Sequence, residues 1–215
     1  MVDPINIIEP LTAGVDEVGR GALFGPVVAA AVILPEKVLD DLASPLAGLY
    51  KGGEITDSKK LTQKRRSHLA NEIQAIALDC KIGIASVREI DRLNILQASL
   101  LAMKRAVFRL KYRPNLVLVD GNQQIKDLSI PQKAIVKGDT KCLAIAAASI
   151  VAKVWRDTLI IRLAKKYPVY DLTNNKGYGT PKHKQGILNY GRSPQHRLSF
   201  SPCQLSLFTN LNNSE

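Results

Sequence analysis

The sequence predicts an α/β fold built as one substantial domain. Short apolar runs rich in β-branched or small residues read as buried strands at 11–18, 27–34, 81–87, 116–119 and 134–136. Longer stretches with apolar residues three and four apart read as helices between them. Three of the strands end in acids beside glycine: Asp16-Glu17 before Gly19, Asp120 before Gly121, and Asp139 after Gly138. The 215 residues suffice for such a domain with room for a small appendage.

In chain order, 11–18 is the first strand, and Gly25-Pro26 turns the chain into the second. Pro35 ends that strand. Residues 36–53 look irregular or short-helical, broken by Pro45, Gly48, Gly52 and Gly53. Thr62 is an N-cap for a helix from Gln63 to about Leu78, with Leu69, Ile73 and Ile76 on one face. The next strand alternates through Ile82 and Ile84, and 90–110 reads as one long amphipathic helix. Residues 142–166 form an Ala-rich helix, whose small side chains permit close packing on a sheet. Within it Asp157 follows Lys153 by one turn, so it reads mainly as a structural ion-pair partner rather than a catalytic acid. The stretch 176–183 is a loop by composition, and Arg192, His196 and Arg197 extend a basic tail.

Composition narrows the function. The net charge is +11 and the sequence pI about 9.7, which points to a polyanionic partner, nucleic acid by default. Cys80, Cys142 and Cys203 are odd in number and far apart, so free thiols in a reducing compartment fit better than a zinc site. The first ten residues lack a basic segment leading into an apolar one, so no signal peptide is expected. The longest apolar run, 23–34, is interrupted by Gly25-Pro26 and falls short of the about 20 residues a membrane span needs. A cytoplasmic protein is the expectation.

The acids carry the chemistry. An acidic pair before a glycine is often a solvated turn, but Asp16 lies between two buried runs. Glu17 is adjacent to it, and neighbours on a flat strand point to opposite faces, so the strand must twist or bulge if both serve one site. Gathered together, Asp16, Glu17, Asp120 and Asp139 would repel one another unless cations neutralised them. Hard oxygen ligands select Mg²⁺ or Mn²⁺. A pair of such ions about 4 Å apart suits phosphodiester cleavage. No GxxxxGK[ST] loop is present, so a P-loop kinase is not expected. Lys59 lies in a loop, where phosphate contact and a solvated face weigh equally. Tyr178, between glycines and cations, could stack on a base or sugar or cover the core edge.

Several motifs now add up. Gly14-Val15-Asp16-Glu17-Val18-Gly19-Arg20-Gly21, Asp57-Ser58-Lys59-Lys60-Leu61, Val119-Asp120-Gly121-Asn122, Lys137-Gly138-Asp139, residues 146–153 and Gly177-Tyr178-Gly179-Thr180 follow one another in a single order. In this the chain resembles bacterial ribonuclease HII from about Thr12 to Phe200. The resemblance implies an RNase H-like mixed sheet flanked by helices, with a small helical C-terminal extension. It implies a catalytic domain over 1–200 and a tail over 201–215. It further implies endonucleolytic cleavage of the RNA strand of RNA–DNA hybrids and of single ribonucleotides embedded in duplex DNA, leaving 5′-phosphate and 3′-hydroxyl ends. By position, Asp16, Glu17, Asp120 and Asp139 become the catalytic metal carboxylates for two Mn²⁺ or Mg²⁺ ions. Gly19, Arg20 and Gly21 read the 2′-hydroxyl, and Tyr178 stacks at the ribonucleotide–DNA junction. The alternatives are another RNase H-like nuclease and a non-catalytic basic module that binds hybrids.

The tail carries a separate signal. Gln204, Leu205, Leu207 and Phe208 resemble the short peptide by which bacterial replication and repair proteins dock on a sliding clamp. Packing on the domain's own surface is the competing reading. A monomer is expected.

Overall fold

A computed structural model of the chain describes residues 11–36, 38, 50, 51, 54, 55 and 61–204, with 50, 51, 54 and 55 described by backbone alone. Lys59 and Leu205, Leu207 and Phe208 lie outside the described residues. Five strands form one sheet in the order β5-β2-β1-β6-β7. They are β1 Thr12–Val18, β2 Val27–Ile33, β5 Asp79–Ala85, β6 Leu116–Asp120 and β7 Gln132–Ile135. β1 runs antiparallel to β2 and parallel to β6, and β6 is parallel to β7, so the sheet is mixed. Two short strands, β3 Tyr50–Lys51 and β4 Glu54–Ile55, pair as a separate ribbon within and just beyond the region read as irregular. Gly52-Gly53, read only as a break, is the segment between them in sequence.

The helices are α1 Gln63–Ile76, α2 Val87–Leu93, α3 Ile95–Phe108, α4 Leu143–Ala164, α5 Leu172–Asn175 and α6 Pro181–Tyr190. α1 starts as expected, with the Thr62 hydroxyl accepting from the Arg65 N–H at 3.3 Å. The single helix expected over 90–110 is two. Ser86 caps α2 in a capping box with Glu89, which pulls its start forward. Asn94, at φ 70°, then breaks the helix, and its side chain accepts from the Gln97 N–H at 3.1 Å to start α3. The loop expected to run to His183 ends at Thr180, whose hydroxyl accepts from the His183 N–H, with Pro181 in the first turn of α6. No described helix is long and apolar enough to cross a membrane.

The chain divides into two compact units. The first takes its residues from 1–18, 28–84 and 100–154. Its core joins Ala30 and Val32 of β2, Leu69 and Ile73 of α1, Leu118 of β6 and Ile145 and Val151 of α4. Each of the Val, Leu and Ile side chains among these, fully buried, contributes about 1.5–3 kcal/mol. α4 meets β1 backbone to backbone: a methyl on Gly14 would lie 2.1 Å from the Ala144 carbonyl carbon. The small residues of α4 make this approach possible, as their composition suggested.

The second unit takes its residues from 19–27, 85–99 and 155–215. Phe24, Ile160, Tyr170, Leu172, Ile187 and Cys203 form its apolar cluster. His196 and Arg197, read as extending a basic tail, are buried here, as are His183 and Arg156. Their nitrogens bond backbone groups or one another, except Arg197 Nη2, which is buried without a hydrogen-bond partner among the described residues. The three cysteines are free thiols, and burial pushes those of Cys80 and Cys203 up to about 11.

Candidate active site

The carboxylates belong to the first unit. β1 and β6 are parallel and their last pair is Val15 opposite Val119, so Asp16, still within β1, and Asp120, the last residue of β6, follow that pair on adjacent strands. The carboxyl ends of neighbouring parallel strands are where α/β sheets place their sites. Asp16 shares the strand face of Gly14, toward α4, and the Ser149 hydroxyl of α4 donates to its carboxylate. The Glu17 N–H donates to Asp16 Oδ1 at 2.6 Å. Asp120 Oδ1 accepts the Gly138 N–H at 2.7 Å, which fastens the 3₁₀ turn Gly138–Thr140 carrying Asp139. Lys137, left-handed at φ 56°, turns the chain into that position after β7.

Of the twist or bulge that would let both acids serve one site, the strand shows no bulge at Asp16-Glu17. The ladder to β2 continues unbroken through Asp16 opposite Ala30, Glu17 opposite Ala29 and Val18 opposite Val28. Glu17 therefore starts from the other face of the strand, beside its end, and Gly19 lies beyond the strand rather than within it.

Asp16 is only 5% exposed. Its carboxyl is pushed well above the usual carboxylate range, first by burial, then by the charges of Glu17 and Asp120; the Ser149 hydroxyl and the Glu17 N–H oppose the shift. Three acids thus crowd one sheet end, and a cation is what would relieve them. Among the described residues no three His, Cys, Asp or Glu side chains form a closed set around one point. A hard divalent ion takes one or two carboxylates and keeps waters or substrate phosphate oxygens for the rest. The donor set fits such an ion.

The second unit carries Gly19, Arg20, Gly21 and Tyr178. Arg20 and Gly21 are exposed, and a methyl on Gly21 would meet nothing within 4 Å. Gly19, at φ 91°, lies against Arg156, whose Nε would stand 2.2 Å from a methyl there. Two buried guanidiniums fix the segment. Arg156 donates from Nε to the Pro26 carbonyl, from Nη2 to that of Phe24 and from Nη1 to that of Lys176, at 2.9–3.1 Å. Arg197 donates to the Arg20 carbonyl at 2.7 Å and to that of Gly25 at 3.0 Å. The Gly177 carbonyl accepts from Leu23 and Phe24, and Ala22 bridges to Tyr178. The Gly-Arg-Gly segment and the Tyr178 loop are therefore one hydrogen-bonded construction. Arg156 also lies over the Tyr178 ring, 5.6 Å from its centroid.

Sequence reasoning missed Ser149, Arg156 and Arg197 as parts of these arrangements. The 146–153 motif contained Ser149 without a role. An Arg such as Arg156 in an Ala-rich helix carries no sign of burial. Asp157 is buried beside Arg156, whose charge it supports. Gln204 is exposed at the end of the described chain.

The family model described as Ribonuclease HII matches residues 13–203. The chain belongs to the ribonuclease HII family. A ribonuclease HII from Trichodesmium erythraeum (strain IMS101) is 80% identical over 198 residues, spanning 92% of this chain and 90% of that one. The solved ribonuclease H2 of Pyrococcus horikoshii OT3 superposes with a TM-score of 0.75 at 27% identity, covering 94% of this chain and 99% of that one. The RNase HII solved in complex with PCNA from Archaeoglobus fulgidus gives 0.70 at 28% identity, covering 87% and 92%. As a ribonuclease HII the chain is a divalent-metal-dependent ribonuclease H, an endonuclease and phosphodiester hydrolase. The RNase H-like sheet expected from the motifs is the fold these structures share with it.

Proposed function

We propose that Asp16, Glu17, Asp120 and Asp139 hold the divalent ions, Mg²⁺ or Mn²⁺, with which this ribonuclease HII cuts the RNA strand of hybrids and single ribonucleotides in duplex DNA. The observation that carries the reading is the crowding at Asp16, a carboxyl raised first by burial and then by the charges of Glu17 and Asp120, and braced by Ser149. When bound, the ions supply an activated water and offset charge on the leaving oxygen, giving 5′-phosphate and 3′-hydroxyl ends. Asp16 and Asp120 present oxygens from adjacent strands, and Gly138 holds Asp120 at one oxygen, leaving the other for a ligand. Gly19, Arg20 and Gly21 bring bare backbone to the 2′-hydroxyl, the one group that marks a ribonucleotide in DNA. Tyr178 stacks at the junction, and Lys59 contacts phosphate. Gln204, Leu205, Leu207 and Phe208 dock on a sliding clamp, a reading supported by the archaeal relative solved with PCNA. The catalytic domain spans 1–200, the tail 201–215, and the enzyme works as a cytoplasmic monomer.

The test is a DNA duplex with one ribonucleotide, incubated with Mg²⁺ or Mn²⁺. Wild type cuts 5′ to the ribonucleotide, and Asp16→Asn falls by at least the about 100-fold that loss of even an outer partner of a metal ligand can cost. Wild-type activity in Asp16→Asn would remove the carboxylate assignment. Binding without cutting by wild type would point to the non-catalytic module.

A further inference from the structure

We propose that the buried His183–His196 pair is the positioning device for Tyr178, acting through the Tyr178 carbonyl. The inference rests on the reading of Tyr178 as a substrate contact. His183 and His196 are 0% and 1% exposed, and their Nε2 atoms stand 3.1 Å apart. The backbone dictates where the protons are. The Ser193 N–H can only donate, and it donates to His196 Nδ1 at 3.0 Å. A neutral His196 therefore carries its proton on Nε2 and donates it to His183 Nε2. His183 must then carry its own proton on Nδ1, which donates to the Tyr178 carbonyl at 2.9 Å. The relay runs one way, from Ser193, whose N–H and hydroxyl both stand 3.0 Å from His196 Nδ1, to Tyr178.

The rings cannot turn freely out of this arrangement. Edge-to-face contacts hold His196 against Tyr170 and Phe24, at centroid distances of 4.6 and 5.2 Å, and Phe24 and Tyr170 flank His183. The charged groups felt by the pair are Asp171 on the His183 side and Arg192 on the His196 side. Burial holds both imidazoles below their ordinary range, in the neutral form the relay requires. At the other end, Tyr178 is pinned at its N–H by the Asn175 carbonyl and at its carbonyl by both Thr180 and His183. Removing the His183 donor frees one of two holds on that carbonyl and lets the ring drift from Arg156.

Two near-isosteric substitutions separate the links. In His183→Asn the amide nitrogen takes the place of Nδ1 and keeps the Tyr178 contact. In His183→Gln the amide reaches the Nε2 position and keeps the His196 contact only. Steady-state kinetics on the single-ribonucleotide duplex should show KM raised about tenfold in His183→Gln with kcat within about twofold, and KM within about twofold of wild type in His183→Asn. In a Tyr178→Ala background the Gln substitution should add less than about twofold, because contacting groups are not additive. An equal rise in KM with and without the Tyr178 ring, or an equal rise in the Asn and Gln variants, overturns the relay. A wild-type KM in Tyr178→Ala overturns the substrate role of Tyr178 and the relay with it.

Discussion

His196 has its pKa lowered from 6.5 to about 4, first by burial and then by the charges of His183 and Arg192, against a hydrogen bond from Ser193. The folded chain thus binds fewer protons than the unfolded chain between about pH 4 and 6.5. Stability from burying this ring is fully present above pH 6.5 and is lost as the pH falls through 4. The shift corresponds to something on the order of 3 kcal/mol at most. Asp16, with its carboxyl raised, works in the opposite direction, so wild type alone does not isolate the effect. The comparison that does is thermal melting of wild type and His196→Asn from pH 7.5 to 4. Wild type should lose melting temperature more steeply, and parallel curves would show that His196 is not held neutral. At this scale the sequence was legible in the acids at Asp16, Glu17 and Asp120, which the fold brings close enough to act on one another. It was opaque where burial decides, since nothing in the order of residues distinguishes the buried Arg197 from the half-buried Arg192.

Elements place these residues, and β1 shows how. Gly14 carries no side chain because the backbone of α4 occupies that space, which brings Ser149 down onto Asp16 two residues further along the strand. α4 is long enough to serve twice: seven residues on, about two turns, it contributes Arg156 to the second unit. Gly14→Ala should therefore lower stability by about 1–3 kcal/mol through overpacking. It should also reduce activity beyond the stability loss, because any shift of α4 moves Ser149 from Asp16. A melt in denaturant beside a cleavage assay at low temperature checks both, and an unchanged midpoint would refute the close approach. The strands of the sheet were readable to within one or two residues from their apolar runs. The break at Asn94 was not, because its left-handed backbone and cap are set by geometry that an amphipathic pattern does not encode.

For the whole molecule, the net charge of +11 and the acids at the sheet end divide the labour. The positive charge attracts a phosphate backbone regardless of sequence, and the acids would weaken that attraction without cations. Binding driven by Lys and Arg on phosphates weakens steeply with salt, because counterions released on binding must be taken back. The KM for the ribonucleotide duplex should rise at least about tenfold between 50 and 200 mM salt for an enzyme making even a few phosphate contacts. A peptide docked through Leu205, Leu207 and Phe208 adds apolar contact that salt does not screen, and tethering raises local concentration on DNA. With a clamp loaded on the duplex, wild type should keep its low KM at 200 mM salt. Phe208→Ala should follow the steep dependence whether or not the clamp is present. A flat response without clamp would mean that the charge is not directed at the backbone. A steep response that the clamp leaves unchanged in wild type would mean that the tail packs on the enzyme itself, and the basic surface alone would then have to deliver the acids to the ribonucleotide.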